Sequence, residues 1–127
     1  VKLALLLLLL VPRSLWSPPL PPYEPLAAPT TSLPVLNASW YGPGFYGHQT
    51  ANGEVYRPFH FTAASWDYPF GTELRVTNLL NGRTVEVRVN DTGRFYLYGR
   101  DLDLSYAAAL ALDMVREGVV PVTVEML

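Results

Sequence analysis

Apolar and polar residues alternate with a period of two in three stretches of this chain. Over residues 73–78, Leu74 and Val76 oppose Arg75 and Thr77. Over residues 83–89, Val85, Val87 and Val89 oppose Thr84, Glu86 and Arg88. Near the end, Val120, Val122, Val124 and Met126 alternate with Pro121, Thr123 and Glu125. This period puts successive side chains on opposite faces of an extended backbone, so each stretch is expected to be a half-buried strand. Residues 35–41 and 61–64 are shorter strand candidates. Asn81-Gly82 lies between two of the strands, where a type I′ hairpin turn would need positive φ at both positions. A helix is expected over residues 106–116. Ser105 would be its N-cap, the run 107–112 is rich in helix formers, and Gly118 could stop it. Ala107, Leu110 and Met114 would then share the face that packs on the sheet. Several short strands and one helix suggest a mainly β domain, a small closed barrel whose closure removes exposed edges. Propensity alone leaves barrel and sandwich open.

The pattern changes abruptly upstream. Residues 3–11 form an apolar run behind Lys2 and before Pro12. Such a run fits a signal-peptide core and is too short for a membrane-spanning helix, which needs about 20 residues. Residues 1–17 are therefore expected to be a signal peptide or N-terminal anchor, with cleavage near Ser17 or Ala27-Ala28. Pro18, Pro19, Pro21, Pro22, Pro25, Pro29 and Pro34 make residues 18–34 a Pro-rich, semi-rigid linker. The folded domain is expected at residues 35–127. The protein would be exported to the periplasm or cell envelope, and would touch a membrane only if the first segment stays uncleaved.

Charge and composition narrow the chemistry. The formal net charge is −2, and no basic stripe is available for a nucleic-acid backbone. Without cysteine, disulfides, thiol catalysis and thiolate zinc sites are excluded. His48 and His60 are the only histidines and form no metal-binding spacing, so neither metal nor cofactor is expected. Residues 42–47 formally fit G-x-G-x-x-G, but no helix follows, so they do not read as a dinucleotide loop.

The remaining candidates are acids. Asp91 stands at a turn just after Val85, Val87 and Val89, in Asn90-Asp91-Thr92-Gly93. Glu54 ends another Gly/Asn turn, Thr50-Ala51-Asn52-Gly53-Glu54. Two carboxyls on separate loops of a small β fold can meet in one groove, an arrangement suited to cutting a glycosidic bond.

Eight motifs lie in an order that resembles the RlpA-like (rare lipoprotein A) septal lytic transglycosylases of bacteria. They are Ala38-Ser39-Trp40-Tyr41-Gly42, Thr50-Ala51-Asn52-Gly53-Glu54, Thr62-Ala63-Ala64, Pro69-Phe70-Gly71-Thr72, Arg75-Val76-Thr77-Asn78, Asn81-Gly82, Val89-Asn90-Asp91 and Asp103-Leu104-Ser105-Tyr106-Ala107-Ala108-Ala109. The resemblance implies a six-stranded double-psi β-barrel with one short helix. It also implies endolytic cleavage of peptidoglycan glycan strands, between N-acetylmuramic acid and N-acetylglucosamine, to give 1,6-anhydro ends. Asp91 matches the family's catalytic aspartate and is expected to be the acid/base. Glu54 matches its second acidic position and would assist, by orienting a sugar, stabilising positive charge or raising the proton affinity of Asp91 through like charge. Asn52, Asn90, Tyr46 and Asp103 are expected sugar contacts. Asp103 also suits a position beside the Ser105 cap, near a helix N-terminus. Ser65 stands where the family commonly has histidine, and is expected at the substrate without that residue's charge. Trp40 is expected to be buried, Phe45 or Tyr46 to face the groove, and Trp66 and Tyr68 to wall a subsite. The domain is expected to be a monomer. A non-catalytic, expansin-like wall-binding module and a hydrolase are the alternatives.

Overall fold

The computed structural model describes residues 13–15, 17–23 and 32–127. The chain divides into two compact units, Val1–Thr30 and Thr31–Leu127. In the first, Arg13–Leu15 form one 3-10 turn, and residues 17–23 are exposed without regular structure. The apolar run expected to be a signal peptide lies outside the described residues, as does the linker over residues 24–31. Among the described residues, no helix is long and apolar enough to cross a membrane.

The second unit is a closed six-stranded barrel. Its strands are β1 (Val35–Trp40), β2 (Thr62–Ser65), β3 (Glu73–Asn78), β4 (Thr84–Asp91), β5 (Leu102–Leu104) and β6 (Val120–Met126). Around the barrel they run β1-β5-β2-β4-β3-β6. β1 pairs parallel with β5, and β2 with β4; the other four pairings are antiparallel. The connections over residues 41–61 and 92–101 therefore do not join neighbouring strands. β5 separates β1 from β2, and β2 separates β4 from β5. This interlock is the double-psi arrangement that the resemblance implied.

The alternating residues fill the barrel. Leu74, Val76, Val87, Val89, Val120, Val122 and Val124 are buried together with Ala38, Ala63, Leu102 and Leu104. α1 (Tyr106–Ala111) starts where expected: the Ser105 hydroxyl accepts from the Ala108 N–H. It then ends sooner than helix propensity predicts. The Nδ2 groups of Asn78 and Asn81 both donate to the Leu112 carbonyl, each at 2.9 Å, and Asp113 turns into positive φ at 50°. The chain past Leu112 can no longer continue the helical ladder. The packed face is consequently Ala108, Ala109 and Leu112 with Met114, and the expected Leu110 is 47% exposed.

The same contact explains the hairpin. Asn81-Gly82 is not a two-residue type I′ turn, because only Gly82 has positive φ. The Asn78 N–H donates to the Arg83 carbonyl and the Gly82 N–H to the Asn78 carbonyl, closing a longer loop around residues 79–82. That loop lets Asn81 cap the helix. Asn78 is buried and also accepts from the Leu80 N–H. Asn78→Ala is expected to destabilise the domain by about 1–3 kcal/mol, because buried polar groups lose their partners. Urea unfolding of the full chain measures this. A change within about 0.5 kcal/mol would show that this brace contributes little.

Candidate functional site

A one-residue irregularity in β4 creates the site. Thr62 pairs with Arg88 and Ala63 with Val89, but Ala64 pairs with Asp91, so Asn90 is the extra residue of a bulge. Strict alternation would aim Asp91 into the barrel behind Val89. The bulge resets the phase and puts it on the outer wall beside Ala64. Ala64 is also the partner of Asp103 in β5, and Asp103 of Ser39 in β1. Ser39, Asp103, Ala64 and Asp91 thus form one lateral row across four adjacent strands. The two acids flank an alanine, with backbones about two strand spacings apart, roughly 10 Å.

The two interlocked connections cover this row. They contribute Tyr41, Tyr56 and Phe95, which cluster with Ala64 outside the barrel. Tyr41 meets Tyr56 edge-on at 4.8 Å, and the more exposed Phe45 lies 5.5 Å from Tyr41. The Tyr41 hydroxyl donates to Asp91 Oδ2 at 2.6 Å. Asp91 Oδ1 accepts from the Ala51 N–H at 2.9 Å and the Thr92 N–H at 2.8 Å. Burial, then the bond to Asp91, raise the Tyr41 pKa well above the usual phenol range, so its hydroxyl stays protonated. Asp91 remains partly accessible.

Asp103 differs. It is 8% exposed and its Oδ1 accepts from the Ser39 hydroxyl at 2.9 Å. Burial pushes its pKa up to about 6; the charge of Asp91 adds to that, while Ser39 and Arg100 oppose it. Arg100 donates to Ser39 Oγ at 3.2 Å. Asp103 does not use the amides of the following helix, because residues 102–104 are a strand and the helix begins only after Ser105. Its position so far below the surface leaves it little area to offer a sugar.

Glu54 is held by charge. Its two oxygens accept from Arg88 Nη1 and Nη2 at 2.7 and 2.8 Å, and from Asn52 and Asn90 Nδ2 at 3.0 Å each. The Arg88 bonds first, and the Asn90 bond next, lower its pKa to about 2. It is a carboxylate neutralised by Arg88, and the carboxyl that feels the charge of Asp91 is Asp103. Asn90 is only 2% exposed, and its Oδ1 is buried without a hydrogen-bond donor among the described residues. Asn52 joins Glu54 to the loop whose Ala51 N–H reaches Asp91. Asn52 and Asn90 therefore brace that loop.

These features decide where the fold belongs. A family profile described as lytic transglycolase, of the double-psi β-barrel type, matches residues 34–124. The chain belongs to this lytic transglycolase family. Among similar proteins, the Campylobacter jejuni protein named endolytic peptidoglycan transglycosylase RlpA is 51% identical over 90 residues, 71% of this chain and 32% of that one. A Synechocystis protein named probable endolytic peptidoglycan transglycosylase RlpA is 54% identical over 82 residues, 65% of this chain and 25% of its own length. The chain thus spans about a quarter to a third of these relatives. Among solved structures, the apo expansin of Clavibacter michiganensis superposes with a TM-score of 0.56 at 28% identity, covering 73% of this chain and 49% of that one.

In this transglycolase barrel, Ser65 caps a turn. It is buried, and its Oγ accepts from the Asp67 N–H at 3.1 Å and the Tyr68 N–H at 3.2 Å. Tyr46 is 40% exposed and lies 5.9 Å from Tyr56. Trp40 is partly buried, against the core and 5.4 Å from Tyr106. Arg88 and Arg100 were absent from the sequence-based candidates, Ser39 stood there only within a motif, and Tyr41 only as an aromatic of the Ala38–Gly42 motif that could stack on a sugar, not as the partner of Asp91. Arg88 carried a readable signal, since it shares the outward face of a strand with Asn90. Ser39 and Arg100 carried none, because their contacts span 64 and 61 residues.

Proposed function

We propose that this domain is an endolytic lytic transglycosylase of peptidoglycan, which breaks the bond between N-acetylmuramic acid and N-acetylglucosamine and leaves a 1,6-anhydro end. The row that places Asp91 and Asp103 on either side of Ala64 carries this reading, together with family membership. The leaving oxygen needs a proton, and the muramyl C6 hydroxyl must lose one as it closes onto C1. One carboxyl can do both, first donating and then accepting, so no water is consumed. Asp91 takes that role because it reaches the surface. Tyr41 fits either state, since a hydroxyl can donate to the carboxylate or accept from the protonated acid. Asp103 lies along the same row beyond Ala64, where burial raises its own pKa and keeps it from the surface that Asp91 reaches. Glu54 acts through position: with Arg88, Asn90 and Asn52 it fixes the loop that supplies the Ala51 N–H. Tyr46 and Phe45 are exposed rings available to a sugar on that side.

We further propose that the domain works as an exported monomer in the periplasm or cell envelope. Residues 1–17 would direct export and residues 18–34 would space the barrel at residues 35–127. Incubating the full chain with purified peptidoglycan and identifying products by mass spectrometry tests the activity. Anhydro-muramyl ends are the expected result. Reducing ends would mean that water replaces the C6 hydroxyl. Pelleting without products would instead support a non-catalytic wall-binding module, the reading favoured by Ser65 in place of histidine.

A further inference from the structure

We infer that Trp66, with Tyr96 behind it, stacks an N-acetylhexosamine ring of the strand and directs its acetamido group into the adjoining hollow; this inference rests on the proposed glycan substrate. The hollow measures about 290 Å³ and is lined by Ser65, Trp66, Tyr68, Pro69, Phe70 and Thr92. Its size is near the lower end for small-molecule sites, about 300 Å³.

Three observations converge on it. Trp66 is 56% exposed although it is a large aromatic immediately after a buried strand. Its ring is not loose: it lies 5.0 Å from the Tyr96 ring, tilted by 44°. A pair of partly exposed rings braced against each other presents a flat apolar face at low entropic cost. Second, the turn that presents Trp66 is built for it. Ser65 spends its oxygen on the Asp67 and Tyr68 N–H groups, and Tyr68 packs partly against the core, which gives the hollow a fixed wall. Tyr96 is set by its neighbour Phe95, buried with Tyr41 and Ala64. Third, the hollow adjoins the proposed acid. Thr92 lines it, and the Thr92 N–H donates to Asp91. A sugar seated there would be continuous with one whose glycosidic oxygen meets Asp91. The occupant is an N-acetylated aminosugar because the site joins a flat apolar ring face to a small, mostly apolar recess suited to a methyl-bearing acetamide.

The test uses the full chain and the N-acetylglucosamine hexamer as probe. Tryptophan fluorescence should change on titration, and Trp66→Phe should lose most of that change while keeping affinity within about threefold. Trp66→Ala and Tyr96→Ala should each weaken hexamer affinity by about tenfold. On peptidoglycan strands they should raise KM by a similar factor with kcat changed less than about threefold. Both positions are exposed, and unchanged thermal unfolding would exclude general disruption. An unaltered affinity and KM in Trp66→Ala would overturn the subsite even if anhydro products are formed. Loss of hexamer binding in that variant, in a protein that makes no anhydro product, would uphold the subsite and overturn the activity.

Discussion

Asp91→Asn is expected to lower turnover of peptidoglycan strands by about 10²–10⁴-fold, the usual contribution of a positioned general acid/base. The amide keeps the shape and one acceptor oxygen, so the bond from Tyr41 or those from Ala51 and Thr92 can persist, but it can neither give the leaving oxygen a proton nor remove one from the C6 hydroxyl. Binding should be spared: the variant should still pellet with peptidoglycan, and its KM should move less than about threefold. Tyr41→Phe separates chemistry from geometry. It removes the 2.6 Å bond to Asp91 Oδ2 yet keeps the ring against Tyr56, so a smaller loss, on the order of tenfold, is expected. If Asp91→Asn turns over strands at the parental rate, the acid is another group and the assignment fails.

The uneven legibility of this chain has physical causes. β3 and β6 are found where the alternation puts them because each is six or seven residues long and solvated on one face. β5 was invisible. It has only three residues, Leu102–Leu104, all buried, and its central residue is an acid. It is a strand because β1 and β2 both pair with it, and such pairings have no local signature. That oversight determined the reading of Asp103, which looked like a companion of the helix start and is in fact the acid beside Ala64. The helix was read too long for a similar reason, since its end is set by Asn78 and Asn81 from a distant hairpin. Turn chemistry and motif order singled out Asp91 and Glu54 as candidates, but not the environments in which they sit. That Glu54 is bound to Arg88 and Asp91 to Tyr41 depends on contacts across 34 and 50 residues.

Asp103 supplies the sharpest pH prediction. Its pKa rises from 3.8 to about 6, mainly through burial. A carboxyl more easily protonated in the folded than in the unfolded state weakens folding as it ionises. Its stabilising influence is greatest below about pH 4, is lost as pH rises toward about 6, and is constant above. The difference corresponds to roughly 3 kcal/mol. Asp103→Asn cannot ionise and can keep an oxygen facing the Ser39 hydroxyl. It should match the parent near pH 4 and unfold at a distinctly higher temperature at pH 8. Turnover of peptidoglycan strands should move less than about threefold, because Asp103 is buried while Asp91 reaches the surface. A gain in stability that grows from pH 4 to pH 8 at constant turnover would confine the influence of Asp103 to the fold. A stability difference that does not change with pH would show that burial does not favour the protonated form of this carboxyl in the folded domain.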